Sequence, residues 1–122
     1  MLNLTTKRKK VYELLKKATK PLSVQDIYDN LNDATINLST VYRAIEYFEN
    51  YNLLLKFHFS SKNYYFLNED KNHDHYFICT SCLLMQKVPC NMKEVLSNLK
   101  LDNDFTITND EMNVYGLCNK CH

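Results

Sequence analysis

Four of the five cysteines stand in two matched pairs, Cys79-x-x-Cys82 and Cys118-x-x-Cys121. This spacing is the sequence form of a tetrahedral zinc site with four thiolate ligands. Each pair supplies two thiolates from one tight turn, and two turns close a four-coordinate shell with no open position. A closed shell holds structure and performs no chemistry, so the C-terminal half is expected to fold around one structural Zn2+ per chain while function is sought elsewhere. Residues 69–122 number only 54, and a domain of that size buries too little apolar surface to be safely stable alone. A structural zinc contributes about 10–16 kcal/mol of apparent binding energy, against a typical total stability of about 5–15 kcal/mol. Dimerisation is the other common remedy.

The 122 residues suffice for one compact domain or two very small ones, and 45% hydrophobic content is globular. With one Gly and two Pro there is little room for a flexible linker. No apolar run is long enough to span a membrane, and Met1-Leu2-Asn3-Leu4-Thr5 lacks the apolar core of a signal peptide. A cytoplasmic protein is expected, with reduced thiols available to metal. The net charge of +1 hides an asymmetry: residues 1–68 carry ten Lys/Arg against six Asp/Glu, and residues 69–122 carry five against eight. A basic first half points to nucleic acid, unless the bias is chance scatter.

Helical spacing runs through Val11, Leu14, Leu15 and Ala18, with Thr5 or Thr6 as cap and Lys7, Arg8, Lys9 and Lys10 in the first turns. Cations there oppose the helix dipole, which an external anion would relieve. Ser23 caps a second helix with the stripe Val24, Ile27, Tyr28 and Leu31, and Ser39 is expected to cap a third with Val41, Ala44, Ile45 and Phe48 inward. Leu53–Phe59, a turn at 60–63 and Tyr64–Leu67 read as a hairpin. Three short helices followed by a hairpin make a winged helix-turn-helix. The fold class is therefore α+β: a DNA-binding domain over 1–68 and a small α/β domain over 69–122. The latter is expected to hold strands at 75–79 and 83–88, a helix at 91–100 with Met92, Val95, Leu96 and Leu99 buried, and a β-rich stretch at 105–117.

In a helix-turn-helix the second helix of the motif presents its N-terminal residues to base edges. Here that helix begins Ser39-Thr40-Val41-Tyr42-Arg43. Arg43 suits guanine or phosphate, Tyr42 a phosphate or a thymine methyl, and Thr40 either. Arg8, Lys10 and Lys62 suit backbone phosphates. The plainer alternative is an ordinary amphipathic helix with a solvated Arg.

Arg8 after Thr6-Lys7, Pro21-Leu22-Ser23, Asp26-Ile27-Tyr28 and above all Leu38-Ser39-Thr40-Val41-Tyr42-Arg43-Ala44 resemble the ferric uptake regulator family of metal-responsive repressors. So do His73-Asp74-His75 ahead of Cys79-x-x-Cys82, and Tyr115-Gly116-Leu117 ahead of Cys118-x-x-Cys121. The resemblance covers nearly the whole chain in order. It implies a homodimer on a near-palindromic double-stranded operator and a dimerisation role for the second domain. It also implies a four-thiolate zinc on Cys79, Cys82, Cys118 and Cys121, and a separate regulatory metal near the domain junction. It implies no membrane and no small-molecule substrate.

The regulatory site departs from the family pattern. Positions at which metal-sensing members commonly carry ligands hold Pro21, Phe66, Asn72, Lys87 and Asp110, and three residues rather than two separate His75 from Cys79, for which a bulge near Tyr76 is expected. The remaining ligand types are His73, Asp74, His75, Cys90, Glu94 and Asp110. Sulfur with nitrogen favours zinc, so a second divalent ion, Zn2+ with Fe2+ as the alternative, is expected there. The competing reading makes Glu94 a helix cap, Cys90 a small buried hydrophobe and the histidines surface residues, leaving a metal-independent or thiol-redox-responsive regulator with structural zinc alone. An enzyme is not expected: there is no H-E-x-x-H, G-x-S-x-G or Gly-rich phosphate loop. Cys118-x-x-Cys121-His122 satisfies the haem-attachment pattern literally, but that reading leaves Cys79 and Cys82 unexplained.

Overall fold

The backbone at the start of the second helix shows how closely local chemistry follows the sequence. Ser23 accepts from the Asp26 backbone N–H, and the Asp26 carboxylate accepts from the Ser23 N–H, a reciprocal capping box. The computed structural model describes residues 5–69, 75–89, 92–107 and 112–122, with the backbone alone at 92–93. It divides into two units, Met1–Asn72 and His73–His122.

The first unit runs α1 (Thr6–Lys17), α2 (Val24–Leu31), α3 (Leu38–Asn50), β1 (Leu54–Phe59) and β2 (Lys62–Leu67). Thr5 caps α1, its side chain accepting from the Arg8 N–H. The cap of α3 is Asn37 rather than Ser39: its Oδ1 accepts from both the N–H and the hydroxyl of Thr40, and its carbonyl accepts from Val41. Leu38 thus already sits in the first turn. Val11, Leu15, Val24, Ile27, Val41, Ala44, Ile45 and Phe48 converge in one core. Fully burying side chains of this kind contributes about 1.5–3 kcal/mol each before entropy is counted.

Antiparallel β1 and β2 pair from Leu54↔Leu67 to Phe59↔Lys62. The turn is two residues, shorter than the expected 60–63. Paired backbone bonds between Leu22 and Tyr65, at 2.9 and 2.7 Å, tie the α1–α2 connection to the hairpin. This is a winged helix-turn-helix, as the pattern of elements implies.

The second unit is a three-stranded sheet in the order β4-β3-β5, with β3 (His75–Cys79) antiparallel to β4 (Met85–Val88) and parallel to β5 (Val114–Gly116), plus a short helix α4 (Met92–Ser97). Three expectations are corrected here. The β3–β4 register is unbroken from His75↔Val88 to Ile78↔Met85, so there is no bulge at Tyr76, and His75 and Cys79 share a face. Among the described residues of 105–117, only three form a strand. The helical stripe is not buried within the chain: Val95 and Leu99 are about half exposed, at 48% and 49%.

The unit's buried residues, among those described, are His75, Ile78, Cys79 and Cys118. Leu101, Phe105, Ile107, Val114 and Leu117 are exposed. Gly116, the chain's only glycine, lies where a Cβ would stand 3.1 Å from the Phe77 ring, a tight contact that would require the ring to shift by a few tenths of an ångström.

The hairpin turn carries Ser60 and Ser61 at φ 54° and 63°, the left-handed pair that a type I′ turn requires and that Asn-Gly adopts far more readily. Replacing them as S60N/S61G should stabilise the first unit by about 1 kcal/mol, read as a raised thermal or urea midpoint.

Candidate metal centre and nucleic-acid interface

The metal centre is built from two turns. After β3 the chain reverses through Cys79-Thr80-Ser81-Cys82, and Leu83 takes φ 65°, a left-handed conformation unusual for leucine. The Leu83 N–H donates to the Cys79 carbonyl at 2.8 Å, and the Cys79 N–H donates to Leu84 O at 2.9 Å. The second turn follows β5, where the Cys121 N–H donates to Cys118 O at 3.1 Å. The strand pairing Cys79↔Gly116 brings the two turns together.

The four sulfur atoms of Cys79, Cys82, Cys118 and Cys121 all lie within 4.8 Å of one another, and Cys82 Sγ and Cys118 Sγ are 3.7 Å apart. Tetrahedral coordination with metal–sulfur bonds of about 2.3 Å spaces its sulfurs by about 3.8 Å. A disulfide would require about 2.05 Å, and these thiols are free. The arrangement fits a metal ion.

Its electrostatics agree. The Cys79 thiol is lowered to about 6 by backbone N–H groups, first Cys82 and then Cys118, which donate to its sulfur at 3.5 and 3.4 Å. Cys118 is lowered as well, first by the Lys120 backbone N–H. Cys121 is pushed up to about 12: a side-chain bond to Ser81 lowers it, but the bonds to Cys118 and Cys82 outweigh that. Sulfurs this close cannot all ionise unless a cation sits among them.

The expected regulatory ligands are not assembled into a second site among the described residues. His73, Asp74, Cys90 and Asp110 lie outside the described residues. Glu94 is exposed on α4. His75 is 2% exposed, and its Nδ1 is 2.9 Å from Met112 O. A carbonyl can only accept, so the Nδ1 proton donates this bond.

On the first unit, α3 places Val41, Ala44, Ile45 and Phe48 inward and leaves Ser39, Tyr42 and Arg43 exposed, Tyr42 at 57%. Lys62 is exposed where the hairpin turn enters β2. Two expected contacts are already engaged within the chain. The Thr40 hydroxyl donates to Asn37 Oδ1 at 2.8 Å, and Lys10 Nζ pairs with Asp33, whose carboxyl is held below its usual range first by that bond and then by Thr35. Sequence reasoning does not single out Tyr47, over whose ring Arg8 sits at 3.7 Å. The available signal is its position on α3, seven residues after Thr40 and four after Arg43.

The Ferric uptake regulator family profile matches residues 1–115. The Ferric uptake regulation protein of Bordetella parapertussis is 30% identical over 125 residues, covering 98% of this chain and 89% of the relative. Among solved structures, the ferric uptake regulator of Francisella tularensis with iron superposes with TM-score 0.75 at 24% identity, covering 98% of this chain and 94% of that one. A zinc uptake regulator complexed with zinc and DNA gives TM-score 0.76 at 22% identity, covering 98% and 83%. With a family match across nearly its whole length and a fold shared with these structures, this chain belongs to the ferric uptake regulator family of metal-responsive transcriptional regulators, which are not enzymes.

Proposed function

We propose that the chain is a cytoplasmic transcriptional repressor that binds a near-palindromic operator as a homodimer. One structural zinc sits on Cys79, Cys82, Cys118 and Cys121, and a second divalent metal, Zn2+ with Fe2+ as the alternative, tunes DNA affinity. The observation that carries the reading is α3: its inner face builds the core while Tyr42 and Arg43 stand exposed at its N-terminal half. That is the recognition-helix arrangement of helix-turn-helix proteins. Support for the dimer comes from the second unit, whose Val95, Leu99, Leu101, Phe105 and Ile107 are exposed around a very small interior. Support for zinc comes from the four-thiolate donor set at tetrahedral spacing, and from a relative's structure that holds zinc and DNA.

Regulation on this reading is a population shift. A metal bound by residues from 73–75, with Cys90, Glu94 and Asp110 as further donors, favours the DNA-competent arrangement. Coupling of about 1–3 kcal/mol changes affinity about 5- to 150-fold. A second reading, a regulator that binds DNA without a sensed metal, is favoured by Pro21, which is fully buried, and by Phe66 and Lys87 at positions where metal-sensing members carry ligands.

Arg43→Ala should weaken binding to an operator selected from random duplexes by about tenfold, the scale of one lost base contact. Fluorescence anisotropy reads this, and unchanged affinity would sink the recognition-helix assignment. Cys118→Ser should lose one zinc per chain by native mass spectrometry and unfold the second unit by circular dichroism; a folded, zinc-replete mutant rules out the four-cysteine site. Operator binding titrated with zinc, iron(II) and manganese should rise at least about fivefold with the sensed ion. One zinc per chain with a flat response selects the metal-independent reading.

A further inference from the structure

The side of the hairpin that packs on the helices carries Leu54, Tyr65 and Leu67 at its base and a polar pair, His58↔Asn63, near its tip. Side chains alternate along a strand, so these positions share one face. His58 Nδ1 lies 2.7 Å from Asn63 Oδ1. Burial raises the Tyr65 phenol, and the Asn63 side chain bonded to it opposes that rise, as a donor does. The Asn63 amide therefore spends its N–H on Tyr65 and its oxygen on His58. An amide oxygen only accepts, so the His58 Nδ1 proton donates the bond.

Asn63 also lines a cleft of about 260 Å³ with Ser23, Gln25, Tyr42, Lys62 and Tyr65. Tyr42 and Lys62 are two of the residues expected to meet DNA, so the cleft sets the His58–Asn63 pair beside that face. His58 is exposed. With Nδ1 committed to Asn63, Nε2 is the ring nitrogen left for an external ligand. It accepts in the neutral ring and donates in the cation. A DNA phosphate only accepts, so it selects the cation.

The ionisable groups around the pair are Lys56, Lys62 and Tyr65 on the hairpin and Tyr42 and Glu49 from α3. The Glu49 carboxylate lies 4.0 Å from the Lys56 ammonium. The start of α2 contributes uncharged Ser23 and Gln25 to the cleft, and the Asp26 carboxylate accepts from the Ser23 N–H. The anion that favours a charged ring is thus supplied by the ligand.

We propose that His58 is a DNA contact of the wing, meeting a backbone phosphate through Nε2–H in its protonated form, so that DNA binding takes up one proton from solvent. This rests on the DNA-binding reading above. The coupling is reciprocal: the proton favours DNA as much as DNA favours the proton. The contact contributes affinity that is fully present below the ordinary histidine range, about pH 6–7, and is lost as pH rises through it. A phosphate carries no sequence information, so the effect is expected on any duplex.

The test uses the full metal-loaded chain and a fluorescent duplex of random sequence, with affinity read by anisotropy from about pH 6 to about pH 8. Parent and variants share the other histidines and the metal site, so pH effects common to both cancel in the comparison. Parental affinity should fall about three- to tenfold more across this range than that of His58→Phe, the scale of a histidine gaining an anion. Both His58→Phe and His58→Arg should lose the extra pH dependence, the first at the parent's weaker, high-pH level and the second at its stronger, low-pH level. In the parent alone, the slope of log affinity against log salt should be steeper by about one at the lower pH. His58 is exposed, so neither replacement empties a packed site.

Superimposable pH profiles in the parent and His58→Phe would overturn the contact while leaving DNA binding intact. So would a His58→Arg chain that binds at the higher pH no better than His58→Phe. A parent chain that binds no duplex at either pH overturns the DNA-binding reading and this inference together.

Discussion

The convergence of four sulfur atoms is the constraint on which the second unit depends. Its described interior consists of His75, Ile78 and two of the cluster's own cysteines, Cys79 and Cys118. The ligands are thus much of the core. The three-residue strand β5 is held on one side by its pairing to β3 and at its end by Cys118, and the Thr80 N–H reaches back to Gly116 O at 2.8 Å. Without the cluster, little apolar burial would remain to offset the entropy of ordering these segments.

The first unit is built on the opposite principle. Its helices and hairpin share one apolar core from Val11 to Tyr65, fixed by caps at Thr5, Ser23 and Asn37 and by the Leu22–Tyr65 bridge. No ion is needed to hold α3 in place. The difference is physical: one unit presents exposed side chains from a self-sufficient scaffold, and the other, among its described residues, buries little apolar surface by itself.

The legible parts of the chain are those governed by local rules. Helical stripes at Val11–Leu15, Val24–Leu31 and Val41–Phe48, the capping box at Ser23, and the cysteine pairs each carry their signal within a few residues. The apolar pattern puts the α3 cap two residues late because Asn37 and Ser39 are both good caps, and only the geometry shows which oxygen meets the Thr40 N–H. Val95 and Leu99 have the spacing of a buried stripe but lack, within one chain, a surface to be buried against. The continuous β3 register is hidden for a different reason: whether an extra residue bulges depends on the partner strand, and β4 pairs with β3 without a break. Of the candidate site, the four sulfurs are readable from spacing alone. The Arg8–Tyr47 stack joins residues on different helices, far apart in the chain, and has no local signature.

Leu83 gives the cysteine cluster a front and a back. Cys79 and Cys118 are buried, whereas Cys82 is exposed and directly precedes the one leucine, among the described residues, held in a left-handed turn. Such a conformation costs about 1–2 kcal/mol for a residue with a side chain, and the bonds that impose it, from Leu83 and to Leu84, both end on Cys79. Cys82 is therefore the sulfur that a chelator, alkylating reagent or oxidant arriving from solvent meets first.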